Sequence, residues 1–136
     1  MICILDVNAA FAYITRPDLQ VQFRRVFEDS EQIIAPDVYI AEATNVAWQF
    51  HKIEGRDPEG CHILLTRSLS IVESFIPTLN YYEHALNLAC QLLHPAYDCF
   101  YLALALTHSG TIFTFDKKLV KMAEELAIPV LTFDLS

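Results

Sequence analysis

The stretch Ile2–Asp6, ICILD, places four apolar residues directly before an aspartate, close to the start of the chain. A short apolar run of this kind predicts a buried β-strand. The residues that follow favour a first helix from Asn8 to about Tyr13. A strand that leads straight into a helix is the repeating unit of a parallel sheet covered by helices. The opening residues therefore predict an α/β fold.

The rest of the chain continues this alternation. The other predicted strands are Gln32–Ala35, Ile71–Ile76, Thr111–Thr114 and Val130–Thr132. The other predicted helices run from about Arg16 to Glu28, Asp37 to Glu54, Pro58 to Leu69, Thr78 to Leu93, Ala96 to Ser109 and Lys117 to Leu126. Asp37 and Thr78 are expected to cap their helices, and Gly110 to follow the end of its helix in the left-handed C′ position. We expect a three-layer sandwich in which a central parallel sheet of about four to five strands is flanked by helices, built as a single domain over residues 1–136.

The composition suits a well-packed intracellular domain. Hydrophobic residues make up 54% of the 136 residues, and only three are glycines. No apolar run reaches the roughly 18 residues of a membrane span, and the first residues lack the basic region of a signal peptide. The four cysteines form no CxxC pair, so they are interpreted as reduced core residues of a cytoplasmic protein.

The formal net charge of −8 argues against a surface that binds nucleic acid by nonspecific attraction. An acidic pocket loaded with a cation is a different case, because the metal neutralises part of the carboxylate charge before the substrate arrives. The charge therefore indicates metal chemistry or a basic protein partner.

Four acids fall at positions that a parallel sheet brings to one edge. Asp6 ends the first strand, and Asp116 follows the strand Thr111–Thr114. Glu42 lies in the second turn of the helix after strand two, and Asp98 in the first turn of the helix before strand four. The carboxyl ends of the strands and the N-termini of the covering helices share one edge, where ligands bind in this architecture.

Each acid alone also fits an ordinary structural role, as a helix cap, a partner of the helix dipole or a solvated helix residue. Together they fit such roles less well, because the apolar neighbours of Asp6 and Asp98 predict that both are at least half buried. Clustered carboxylates with little solvent repel one another unless a cation or a proton neutralises them. Oxygen ligands without histidine or thiolate favour Mg²⁺ or Mn²⁺ over zinc.

Four blocks of sequence resemble the PIN domain, and within it the VapC-type toxins of bacterial toxin–antitoxin pairs. The resemblance covers essentially the whole chain. The blocks are, in order, ILDVNAA from Ile4, APDVYIAEATNV from Ala35, HPAYDCFYLALA from His94 and TFDKKL from Thr114.

The resemblance implies a metal-dependent endoribonuclease that uses Mg²⁺, with Mn²⁺ as a substitute. It implies that Asp6 and Asp98 are direct metal ligands and that Glu42 and Asp116 complete the site directly or through bound waters. Asn8 and Thr114 would orient Asp6 and Asp116, although ordinary helix-start and strand-end bonding explains them equally well. The partners expected from the resemblance are an RNA substrate and a small antitoxin protein. The apolar content of helices such as Leu19–Phe27 and Ile63–Leu69 adds the expectation of a homodimer.

Two other functions compete with this one. A phosphatase of the haloacid-dehalogenase kind needs a second aspartate two positions after Asp6, where this chain has Asn8. A PIN-like interaction module that has lost its activity need not keep all four acids. Among the remaining residues, Trp48 is predicted to lie in the core, the five histidines to be surface or satisfied polar residues, and Lys117 and Lys118 to form a solvated helix face.

Overall fold

The computed structural model describes residues 1–136 as alternating strands and helices. The strands are β1 (Ile2–Leu5), β2 (Gln32–Pro36), β3 (Ser74–Ile76), β4 (Thr111–Phe113) and β5 (Val130–Leu131). The helices are α1 (Val7–Thr15), α2 (Gln20–Glu28), α3 (Val38–Glu54), α4 (Pro58–Ile71), α5 (Tyr82–Leu92), α6 (Ala96–His108) and α7 (Lys117–Glu125). None of the helices combines the length and the apolar character needed to cross a membrane.

All five strands form one sheet in the order β3-β2-β1-β4-β5, and every neighbouring pair is parallel. The central strand β1 pairs with β2 on one side and with β4 on the other, where Ile4 lies opposite Ile112. The chain order reverses at β1, since β2 lies on one side of it and β4 on the other. This is the α/β sandwich with a central parallel sheet that the sequence predicts.

The alternation of side chains along each strand divides the core into two halves. Cys3 and Leu5 of β1 pack with α1, α2, α3 and α4 on one face, while Ile4 packs with α5, α6 and α7 on the other. The same division holds in β4, where Phe113 faces the first half and Ile112 the second. Both faces of the sheet are covered, which is why its strands are almost uniformly apolar.

Phe23 of α2 is the centre of an aromatic cluster within the first half of the core. Its ring is fully buried and lies with centroids 5.2 to 6.3 Å from five other rings. These belong to Tyr13, Phe27, Phe113, Phe115 and Phe133. The cluster therefore joins α1 and α2 to β4 and to the C-terminal segment after β5.

Two predicted helix caps are wrong. Asp37 precedes α3 but makes no side-chain bond to it, and instead its Oδ1 accepts a hydrogen bond of 2.9 Å from the backbone N–H of Thr78. Thr78 opens a short 3₁₀ turn, and α5 begins only at Tyr82. The Asp37 side chain thus accepts a hydrogen bond from a backbone N–H of the segment that follows β3, and from none in its own helix.

The left-handed residue after α6 is Ser109, with φ 52°, and not Gly110 as predicted. Gly110 instead lies close to β1. A Cβ on Gly110 would lie 3.0 Å from Cδ1 of Ile4 and 3.1 Å from the backbone oxygen of Ile2, so a larger residue would require these neighbours to shift by a few tenths of an ångström.

All four cysteines are free. Cys3 and Cys99 are buried as expected, whereas Cys61 is only partly buried and Cys90 is exposed. The prediction that all four belong to the core is therefore wrong for Cys90.

Candidate active site

Asp6 and Asp116 each cap the helix that follows one of two neighbouring strands. Asp6 follows β1 and caps α1, accepting a 2.8 Å hydrogen bond from the N–H of Val7 at Oδ1. Asp116 follows β4 and caps α7, accepting a 2.9 Å bond from the N–H of Lys118. Because β1 and β4 are parallel neighbours, the two carboxylates lie at the same edge of the sheet. Asp6 is 7% exposed, which confirms its predicted burial.

Thr114 connects these two aspartates. Its fully buried hydroxyl donates to Oδ2 of Asp6 at 2.7 Å and accepts from the N–H of Asp116 at 3.0 Å. Asn8 bonds the same Asp6 oxygen through Nδ2 at 3.2 Å, and its Oδ1 accepts from the N–H of Phe115 at 3.0 Å. Two side chains therefore fix the orientation of the Asp6 carboxylate.

Glu42 lies on α3, and its side chain reaches the same edge of the sheet as Asp6 and Asp116. Its Oε1 accepts a 2.9 Å hydrogen bond from the hydroxyl of Tyr101, which belongs to α6 and is fully buried. This is the only hydrogen bond that the Glu42 side chain makes within the protein. Nothing in the sequence marks Tyr101, because its partner lies 59 positions away.

Asp98 lies in the first turn of α6 and does not cap it. Its Oδ2 lies 2.8 Å from Nε2 of His94, four residues earlier and just before α6 begins, and no backbone N–H bonds its side chain. About a quarter of the Asp98 side chain is exposed, 26%, in agreement with its predicted burial. His94 was not predicted from the sequence as a partner of Asp98.

The four carboxylates, here called the acidic site (Asp6, Glu42, Asp98 and Asp116), act on one another electrostatically. The pKa of Asp6 is raised to about 6, chiefly by burial and also by the charges of Asp98 and Asp116, while the hydrogen bonds from Thr114 and Val7 lower it. The pKa of Glu42 is raised to about 7, chiefly by burial and also by the charges of Asp6 and Asp98, while the hydrogen bond from Tyr101 lowers it. No lysine or arginine forms an ion pair with any of the four.

The donor chemistry of the acidic site fits a hard divalent cation. Its possible ligands are carboxylate oxygens, and the hydroxyl of Thr114 and the amide of Asn8 donate hydrogen bonds to Asp6. Its negative charge has no permanent cationic partner. The side chains are not gathered around one ion position: no group of three or more His, Cys, Asp or Glu residues has an arrangement that holds a metal. Each carboxylate is instead held by a donor from the protein, and an ion would have to draw them together.

The other residues singled out in the sequence lie elsewhere. Trp48 of α3 is 50% exposed, so its predicted place in the core is wrong, and Nζ of Lys52 lies 5.0 Å from its ring centroid. Lys117 and Lys118 are exposed, as predicted. Of the histidines, only His94 contacts the acidic site, and His108 bonds the hydroxyl of Tyr81 at 3.2 Å.

Comparison with known proteins gives one family and several similar folds. The family model described as PIN domain matches residues 3–125. The structure resembles PAE2754 from Pyrobaculum aerophilum with a TM-score of 0.68 and 21% sequence identity, covering 90% of this chain and 87% of that chain. It resembles VapBC2 from Rickettsia felis, solved bound to a DNA fragment from its promoter, with a TM-score of 0.70 and 17% identity, covering 98% of this chain and 100% of that chain. For FitAcB from Neisseria gonorrhoeae the TM-score is 0.62 and the identity 20%, with 97% of each chain covered. A search of curated proteins finds no match.

Proposed function

Because the chain belongs to the PIN-domain family of nucleases, we propose that it is a metal-dependent endoribonuclease that cuts RNA at the acidic site. The observation that supports this most directly is that the buried Asp6 feels the charges of Asp98 and Asp116, and Glu42 those of Asp6 and Asp98, although the four carboxylates come from four separate segments. A lapsed interaction module gains nothing from burying mutually repelling charges, since such burial costs stability. The direct test is incubation of single-stranded RNA with the protein and Mg²⁺. Internal cuts that EDTA prevents are expected, and intact RNA in both Mg²⁺ and Mn²⁺ would contradict the proposal.

In this proposal Asp6 and Asp98 would hold Mg²⁺ directly, and Glu42 and Asp116 would hold it directly or through bound waters. Metal binding there would supply the activation of a water and the stabilisation of the charge that builds on the phosphate. The protein's own contribution is to keep the carboxylates oriented and poorly solvated. Thr114 and Asn8 hold Asp6, and the Thr114 hydroxyl also ties down the backbone N–H of Asp116.

The pKa values of Asp6 and Glu42 lead to a prediction that joins metal and pH. Both pKa values, about 6 and about 7, lie above the ordinary values of 3.8 and 4.5. At a pH between the ordinary and the raised pKa values, the folded protein binds more protons than the unfolded chain. The metal-free protein should therefore become more stable as the pH falls through this range. In EDTA the melting temperature should therefore be higher at about pH 6 than at about pH 8.

Added Mg²⁺ or Mn²⁺ should raise the melting temperature at about pH 8, because it binds the native state alone, and should lose this effect at about pH 5. NaCl at matched ionic strength is the control and should not reproduce the rise. Identical melting curves in EDTA, Mg²⁺ and NaCl at the higher pH would count against a cation in the acidic site.

We further propose that the protein is the toxin of a bacterial type II toxin–antitoxin pair and acts in the cytoplasm. The sequence blocks that resemble VapC-type toxins support this, together with the likeness in fold to VapBC2 and FitAcB. A small antitoxin would inhibit directly if one of its basic side chains entered the acidic site and took the place of the metal's charge. A purified antitoxin complex that cuts RNA as fast as the free protein would contradict this form of inhibition.

We also propose a homodimer, with exposed apolar side chains of α5 and its flanking segments as its contact. These side chains are Leu79, Tyr82, Leu86, Leu93 and Tyr97. Exposed apolar area of this kind marks association surfaces.

Light scattering should give twice the monomer mass, and Leu86→Glu should give a monomer. Val21→Glu, at a similarly exposed apolar position on α2, should leave the dimer intact. A monomeric wild-type protein at tens of micromolar would exclude a dimer of ordinary affinity.

A further inference from the structure

The hydroxyl of Tyr101 is a buried donor with a single acceptor. The Tyr101 side chain is fully buried, and burial raises its pKa well above the ordinary value, as do the nearby charges of Asp6 and Glu42. The phenol therefore keeps its proton and must donate it to an acceptor. That acceptor is Oε1 of Glu42 at 2.9 Å.

Glu42 needs such a partner more than Asp6 and Asp116 do. Asp6 and Asp116 are fixed by capping bonds at the starts of α1 and α7. Glu42 lies within α3, where backbone N–H groups bond along the helix and offer no cap. Its longer side chain has more rotatable bonds, and the bond from Tyr101 is its only hydrogen bond in the protein.

We propose that Tyr101 is a positioning residue, which holds the Glu42 carboxylate toward the acidic site and so sets the affinity of that site for a divalent cation. The proposal rests on the function proposed above for the acidic site. Residues that orient a metal ligand by a hydrogen bond affect metal affinity or activity by roughly 10- to 100-fold. Tyr101 lies three residues after Asp98, so one turn of α6 both supplies an acid and orients a second acid on α3.

Tyr39 provides a matched control. It is also fully buried and close enough to Asp6 to feel its charge, but its hydroxyl donates to the backbone oxygen of Ser68 at 2.8 Å. Tyr39→Phe and Tyr101→Phe each remove one buried phenolic oxygen and one hydrogen bond, and only Tyr101→Phe releases a carboxylate of the acidic site.

The experiment measures Mn²⁺ binding to metal-free protein by calorimetry, RNA cleavage in Mn²⁺, and the melting curve of each variant in EDTA. Tyr101→Phe should weaken Mn²⁺ binding and lower kcat/KM roughly 10- to 100-fold, while Tyr39→Phe should change neither. Glu42→Gln keeps an acceptor for Tyr101 but loses the charge. In the Glu42→Gln background, Tyr101→Phe should have little further effect on Mn²⁺ affinity, because a residue that acts through Glu42 has nothing left to orient.

Each alternative result has a distinct meaning. Equal losses in Tyr101→Phe and Tyr39→Phe, or a full additional loss in the Glu42→Gln background, would overturn the positioning role and leave the nuclease proposal intact. A wild-type protein that binds Mn²⁺ but cuts no RNA would overturn the nuclease proposal, while the calorimetric cycle would still decide the role of Tyr101. A wild-type protein that neither binds Mn²⁺ nor cuts RNA would overturn both.

Discussion

Asp98→Asn should abolish RNA cleavage while leaving the stability of the metal-free protein almost unchanged. The amide keeps the size of the side chain and an oxygen that can accept a hydrogen bond from Nε2 of His94. In the wild-type protein this nitrogen lies 2.8 Å from Oδ2 of Asp98. It removes one of the charges that raise the pKa values of Asp6 and Glu42. Activity should fall roughly a hundredfold or more, the loss that usually follows removal of a group that stabilises transition-state charge.

The small effect expected on stability follows from two opposing contributions. An acid in the first turn of α6 interacts favourably with the helix dipole, a contribution of about 0.3–1 kcal/mol that the amide would lose. Relief of repulsion within the acidic site acts in the opposite direction. Because the Asp98 side chain accepts no backbone N–H, no capping bond is lost.

The measurement pairs cleavage of single-stranded RNA in Mg²⁺ with a melting curve in EDTA. Glu59→Gln is the matched control, because Glu59 is also an acid in the first turn of a helix, α4, and is exposed. It should cut RNA at the wild-type rate. A folded Asp98→Asn protein with near-normal cleavage would remove Asp98 from the mechanism.

Phe23→Ala should cost about 3–5 kcal/mol of unfolding free energy, as truncation of a buried aromatic side chain usually does. The ring is fully buried and lies against five others, so its loss leaves a cavity at the point where α1, α2, β4 and the C-terminal segment meet. Domains of this size have a total stability of about 5–15 kcal/mol, so the variant should lose a large share of it.

Urea denaturation in EDTA gives this change as a lower midpoint at an unchanged slope. Val21→Ala serves as the control, since Val21 lies on the same helix with most of its side chain exposed. Its effect should stay within about 0.5 kcal/mol. A cost for Phe23→Ala as small as that of Val21→Ala would show that the aromatic cluster contributes little to stability.

The fold could be predicted largely because its signals are local. Apolar runs such as Ile2–Leu5 and breaks such as Pro58 mark strands and helix starts without reference to distant residues. The edge at which Asp6 and Asp116 meet also follows from sequence, since parallel strands share an orientation. Trp48 shows the limit, because a helix side chain at apolar spacing is buried only if a partner covers it, and half of this one stays exposed.

The partners of the acids could not be predicted in the same way. The bond from Tyr101 to Glu42 depends on the separation of α3 and α6, which no pattern along the chain records. Asp37 and Gly110 failed as predictions for a related reason. Each has the residue type that its predicted local role favours, yet contacts with distant parts of the chain determine what it does. Asp37 accepts a hydrogen bond from Thr78, and Gly110 lies against Ile2 and Ile4.

The central place of β1 has a consequence for synthesis on the ribosome. Of the strands in this sheet, β1 waits longest for its second neighbour, because β4 pairs with it through residues such as Ile112, more than a hundred positions later. Until then the nascent chain carries an open edge on β1, and Asp6 lacks both Thr114 and Asp116. The pairing of such distant segments is slow and comes late in folding. A nascent chain would therefore have no complete acidic site until β4 and Asp116 have emerged, so any nuclease activity would begin only after that point.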